Sequence, residues 1–202
     1  MSSHSALALR RIPRQTRGRL RVARFLRAAG AVITELGYER ATMSAIAERA
    51  SSSIGSLYQF FPNKKALAEA LRVQCIQEIE HRWRALADEA AELSTERLAC
   101  RLVMVQIEIV RTHPALLALL EVPPGTRTSK WREVIRQRIA AVLMAHKPRL
   151  GQPAALRIAA VVQQVSRALL TLYGRSDADQ KASIIEEFKC VLKGYLAPKL
   201  RG

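Results

Sequence analysis

The chain has 202 residues, 49% hydrophobic and 25% charged, enough to bury a sizeable core as one large domain or two small ones. Lys and Arg outnumber Asp and Glu by 33 to 17, and the net charge of +16 favours polyanionic partners, nucleic acid first and an anionic membrane second. Scattered Cys75, Cys100 and Cys190 and four histidines give no metal-ligand spacing, no apolar run approaches the roughly 20 residues that span a bilayer, and no nucleophile–base pair or phosphate loop marks an enzyme.

Residues 1–18 carry Pro13, Gly18 and several arginines without a helical stripe, and read as a flexible basic arm. Two roles are open to it: a solvated tail, or an arm whose arginines neutralise phosphates or enter a narrow minor groove. Charge is concentrated at this end. Residues 1–27 hold eight arginines and no acid, and residues 1–74 hold 13 basic against 4 acidic side chains. A helix runs from about Arg19 to Leu36, with Val22, Phe25, Leu26, Ala29, Val32, Ile33 and Leu36 on one broad apolar face and Gly37 as its stop.

The next stretch, TMSAIAERASSSIGSLYQFFPNKKAL, is the centre of the chain's organisation. Thr42 caps a short helix whose Met43, Ile46, Ala47 and Ala50 share a stripe. Ser51, Ser52 and Ser53 break that stripe, because serines compete for backbone hydrogen bonds. Ser53 caps a second helix carrying Ile54, Leu57 and Tyr58, Pro62 ends it, and Asn63 caps the next. Two helices of about two turns with a tight connection form a helix-turn-helix, whose second helix can enter a DNA major groove.

Within that second helix Leu57 and Phe61 are expected to face inward. Ser53, Ile54, Ser56 and Gln59 lie on or near the opposite face, and Gly55 leaves room for close backbone approach. Ile54 suits a thymine methyl, and Gln59 offers adenine both a donor and an acceptor. Tyr58 rests its ring on the core edge and turns its hydroxyl toward a phosphate. Thr42 and Lys64 sit at helix N-termini, where free N–H groups and the dipole attract phosphate. Plain capping by the serines and a solvated Lys64 are the alternative readings.

From Lys64 to about Ala90 the pattern stays helical without a breaker, a span of about 40 Å that joins the helix-turn-helix to the C-terminal part of the chain. Thr95–Thr112 is apolar nearly all round, the mark of a centrally buried helix. Pro114–Glu121 forms a short helix, VPPGTRT a loop, Ser129–His146 a helix and KPRLGQP a second loop. Ala154–Tyr173 and Asp177–Leu196 make a final pair joined at Gly174–Ser176. Their surplus of apolar positions suits pairing across a two-fold axis. On the central helix Glu108, Arg111 and Arg101 lie close in sequence, and a local ion pair is the default reading. The sharper alternative is an effector pocket lined by Met104, Glu108, Arg111, Trp131 and Met144. The odd cysteine count, without a signal peptide, fits a reducing cytoplasm.

IGSLYQFFPNKKAL resembles the tetracycline-repressor (TetR) family pattern of a small-residue pair, Leu-Tyr, an aromatic, a Lys and a Leu. RFLRAAGAVITELGYERATMSAIAERA resembles that family's first helix, its Gly–aromatic turn and its Thr-capped second helix, so the match covers roughly residues 19–72. The turn departs from the pattern, with Ser51-Ser52 in place of the usual Gly-Val. The resemblance implies an all-α chain: the arm at 1–18, a three-helix DNA-binding domain with its helix-turn-helix at 19–65, and a larger helical effector-binding and dimerisation domain at 66–202. It implies backbone clamps at Thr42, Tyr58 and Lys64, and a homodimer made by the last two helices. It also implies a cytoplasmic repressor on a palindromic double-stranded DNA operator, released by an unidentified small-molecule effector, with no cofactor, metal, membrane or enzymatic activity. The alternative is a non-specific nucleoid-type DNA-binding protein, which the arginine-rich start also suits.

Overall fold

A computed structural model describes residues 16–119 and 126–200, with the side chains of residues 16, 77, 78 and 126–131 excepted. Residues 1–15 of the basic arm, residues 122–125 of the VPPGTRT loop and the side chain of Trp131 therefore lie outside the described residues.

Among the described residues every regular element is helical, as the composition and periodicity require. The order is α1 (Thr16–Arg40), α2 (Met43–Arg49), α3 (Ile54–Phe60), α4 (Lys64–Glu89), a 3-10 turn at Ala90–Glu92, α5 (Thr95–Thr112), α6 (Ala115–Leu119), α7 (Thr126–His146), α8 (Gln152–Arg175) and α9 (Ala178–Leu200). The described chain forms two compact units, residues 16–76 with 113–119, and residues 77–112 with 126–200. The two parts of α4 belong one to each.

The first unit is built on the apolar face of α1, where Phe25, Leu26, Ala29, Val32 and Ile33 are buried with Ile46, Leu57, Phe61 and Leu67. Gly37 takes φ +76°, and the chain kinks there, so Tyr38 to Arg40 leave the axis of α1. An L side chain is strained at that angle, which is why a glycine stops the straight run. The short α6 returns from far along the chain to pack on α1, burying Ala115 and Leu119. Arg72 on α4 fixes it there, donating to the Leu119 carbonyl at 2.8 Å while pairing with Glu69.

In the second unit α5 is the central helix, burying Leu98, Leu102, Val103, Ile107 and Val110 as its nearly uniform apolar surface predicts. It packs on α9 and α8, and α7 packs on α8. Trp83 and Leu86 from α4 are buried in the same unit. One polar pair lies inside. Gln106 Nε2 on α5 donates to Ser166 Oγ on α8 and to the Leu102 carbonyl, and Ser166 Oγ donates to the Val162 carbonyl at 2.7 Å. A buried polar group needs such partners, and here each supplies the other.

The expectation that no apolar stretch reaches bilayer length meets one exception among the described residues. By length and composition α8 qualifies, yet its Ile158, Val162 and Leu169 are buried in the second unit's core.

Candidate nucleic-acid interface

The helix-turn-helix is assembled from local hydrogen-bond chemistry. Thr42 is extended, at φ −113° and ψ 155°, and its side chain accepts from the Ala45 N–H at 3.1 Å to start α2. At the other end of α2, Ser51 N–H donates to the Glu48 carbonyl and Ser52 N–H to the Ala47 carbonyl. That double bond pattern is a Schellman ending, which places Ser51 in the left-handed region, at φ +46°. A serine there costs on the order of 1 kcal/mol relative to a glycine. Ser51→Gly is therefore expected to raise stability by about 0.5 kcal/mol at most after the added freedom of the unfolded chain is counted. Comparing thermal or denaturant midpoints checks it, and a lowered midpoint would refute it.

The turn delivers the chain to Ser53, whose Oγ accepts from the Ser56 N–H at 3.2 Å and starts α3. The helix ends at Phe61, forced to φ −126° and ψ 109° by Pro62. Asn63 then caps α4 through the Ala66 N–H at 2.8 Å.

The inner side of α3 is anchored by Leu57, Phe60 and the adjoining Phe61, all buried, and the Phe60 ring lies 6.0 Å from that of Phe25 on α1. Its outer side presents Ile54 at 41% and Tyr58 at 40% exposure, with Gly55 and Gln59 also exposed. Ser56 is half-buried, and its Oγ is enclosed without a hydrogen-bond partner. A Cβ added to Gly55 would meet nothing within 4 Å. Nothing inside the fold requires that glycine.

Lys64 is bonded within the fold. Its Nζ donates to the carbonyls of Tyr38 at 2.8 Å and Glu39 at 3.0 Å, and lies 4.4 Å from the Tyr38 ring centroid. A cation there satisfies carbonyls at the end of α1 and ties the start of α4 to them. Arg49 makes a two-pronged bond to Glu35, joining α2 to α1, and these hydrogen bonds hold the Glu35 carboxyl below its ordinary pKa. Burial pushes the Tyr38 hydroxyl's pKa up.

The candidate effector residues lie in the second unit. Glu108 is bridged by two arginines, Arg82 of α4 at 3.4 Å and Arg101 of α5 at 3.3 Å. Arg101 also reaches Glu89 at 2.9 Å, and that bond raises its pKa further. Arg82 donates in addition to Thr112 Oγ1 at 3.2 Å. The structure thus pairs Glu108 with Arg101, seven residues earlier, and with Arg82 of α4, while Arg111, three residues on, is exposed. Met104 and Met144 are half-buried.

Sequence reasoning missed Phe60, Gln106 and Ser166. For Phe60 the signal was available, since two aromatics directly before a helix-ending proline both favour burial. Gln106 and Ser166 are 60 positions apart, and no local pattern pairs them.

Residues 25–71 match the family model described as bacterial regulatory proteins, tetR family, and residues 94–196 match that of the tetracyclin repressor-like C-terminal domain. The HTH-type transcriptional regulator YhgD of Bacillus subtilis is 27% identical over 127 residues, 62% of this chain and 64% of that protein. The match thus spans a little under two thirds of that relative. The crystal structure of a TetR-family transcriptional regulator from Streptomyces coelicolor superposes with a TM-score of 0.60 at 26% identity, covering 91% of this chain and 99% of that one. The regulator FadR from Bacillus subtilis, in complex with stearoyl-CoA, shares the fold at a TM-score of 0.63 and 18% identity, with 85% and 95% covered.

Proposed function

The chain belongs to the TetR family of bacterial regulatory proteins, a DNA-binding transcriptional regulator, and on that premise we propose a cytoplasmic, homodimeric repressor released from a palindromic operator by a small-molecule effector. The observation that carries this reading is α3: it is capped at Ser53, fixed from beneath by Leu57, Phe60 and Phe61, and bare on its outer side at Ile54, Gly55, Tyr58 and Gln59. Ile54 contacts a thymine methyl and Gln59 an adenine edge, while Gly55 and Ser56 let the backbone approach. Tyr58 gives its hydroxyl to a phosphate, and the N-termini capped by Thr42 and Ser53 bind others. Lys64, with two donors directed at α1, keeps its third N–H for a phosphate.

Pairing is supported by the second unit's surface. On α8 Val161, Val165, Ala168 and Leu172 recur at helical spacing on a face left exposed or half-exposed, and on α9 Ile184, Phe188, Val191 and Tyr195 do the same. These stripes meet their counterparts across a two-fold axis, so the two α3 helices face successive major grooves. The effector enters the second unit, where Met104, Glu108, Arg111, Trp131 and Met144 are the candidate lining. It releases the DNA only by the difference in its affinity for the two subunit arrangements.

Selection of bound duplexes from a random pool tests this reading. A two-fold symmetric site is expected, bound about 10³-fold or more above random DNA at one physiological salt concentration. Repeating the binding with a metabolite mixture should then release it. Enrichment of no sequence would overturn the operator reading in favour of a nucleoid-type binder.

A further inference from the structure

The helix α1 begins at Thr16, yet its first buried side chain is Phe25, so about two turns extend past the core. Those turns and the next carry Arg17, Arg19, Arg21, Arg24 and Arg27, all exposed, and none has a carboxylate partner among the described residues. The first acid in the sequence is Glu35. Arg17, Arg21 and Arg24 fall at i, i+4 and i+7, one stripe about 10 Å long.

Like charges at that spacing destabilise a helix, and cations at its start oppose the dipole. The segment is therefore arranged against its own stability, a conflict that natural sequences keep where a partner supplies the missing charge. An anionic membrane would call for an apolar stripe beside the arginines. Leu20, 65% exposed, stands alone there. The first 27 residues hold eight arginines and no lysine, and arginine is the side chain whose planar fork matches phosphate. The location agrees as well: Phe25, one residue after Arg24 and one turn after Arg21, rests against Phe60, the last residue of α3.

We propose that Arg17, Arg21 and Arg24 form a second DNA-contacting surface that grips the phosphates flanking each half-site. This rests on α3 being the groove reader, and it extends the footprint beyond what α3 can touch. The contact is to backbone, so it adds affinity and salt dependence without adding sequence preference.

The test uses the full chain with R17Q/R21Q/R24Q and, as a charge-keeping control, R17K/R21K/R24K. Both are titrated with salt on the selected operator, with its flanks kept or trimmed. The glutamine variant should show a salt slope shallower by roughly 0.9 per phosphate lost, on the order of five for a dimer. Its affinity for the flanked duplex should fall about tenfold or more, with the preference over shuffled DNA intact and the trimmed duplex little affected. The lysine variant should keep the parent slope. An unchanged slope in the glutamine variant overturns the proposal. So does a glutamine variant that loses binding to phosphatidylserine vesicles alone, which would give the arginines to a membrane. Binding by the parent chain without sequence preference would sink the operator reading instead, since the slope difference between parent and variant still decides this one.

Discussion

Phe25→Ala is expected to cost about 3–5 kcal/mol and to abolish operator binding, although residue 25 touches no DNA in the proposed complex. Phe25 is fully buried in α1 and carries the ring contact to Phe60 that fixes the end of α3. Truncation opens a cavity at the joint between the helix that forms the floor of the first unit and the helix proposed to read DNA. The first unit is small, and a loss of this size is a large fraction of the 5–15 kcal/mol typical of whole domains. Both tryptophans, Trp83 and Trp131, belong to the second unit, so their fluorescence tracks that unit while far-UV circular dichroism tracks all helices. In the variant the helical signal should begin to fall at a lower temperature than the tryptophan signal, with a wider gap than in the parent. A variant that kept parental stability and operator affinity would show that something other than this aromatic joint positions α3.

What the sequence made legible was mostly chemistry within four residues. Thr42, Ser53 and Asn63 cap helices where their side-chain oxygens predict it. Pro62 stops α3, Gly37 takes the positive φ that ends the straight run of α1, and α5 has the bounds its apolar pattern defined. Ser51 adopts the left-handed turn although it is not glycine, because the Schellman bonds around it are satisfied only there. Boundaries lacking such a signal shifted. The start of α1 moved from Arg19 to Thr16, taking in Gly18, which disfavours a helix without stopping it. The end of α9 moved past Pro198 to Leu200.

Long-range partners were illegible for a different reason. The carbonyls of Tyr38 and Glu39 that hold Lys64 are 26 and 25 positions away, Leu119 is 47 from Arg72, and Arg82 is 26 from Glu108. Each of these charged side chains looks solvated in a one-dimensional pattern. Only folding shows that they serve carbonyls and carboxylates on other elements. In the candidate DNA interface the exposed side of α3 was readable, because helical spacing alone separates Ile54 and Gln59 from Leu57. The bonds from Lys64 to the end of α1 were not.

Lysines placed at Leu172 and Val191 should convert the dimer to a monomer and lower affinity for a full operator by about 10²–10⁴, the range lost when two linked sites become independent. In the single chain these side chains are 48% and 51% exposed, on α8 and α9. Surface substitutions of that kind change stability by only about 0.5 kcal/mol either way unless the surface is covered in the assembly. The substitutions leave α3 and its caps untouched, so a duplex carrying one half-site should bind parent and variant alike. A loss confined to the two-half-site duplex, with sedimentation showing a monomer, places the defect in pairing and not in reading. The chain's own folding should then lose its dependence on protein concentration, since the partner no longer stabilises it by mass action. If the double variant stayed dimeric and kept full operator affinity, the apolar stripes of α8 and α9 would not be the dimer interface. The spacing of the two reading helices would then have to be set by another surface of the second unit.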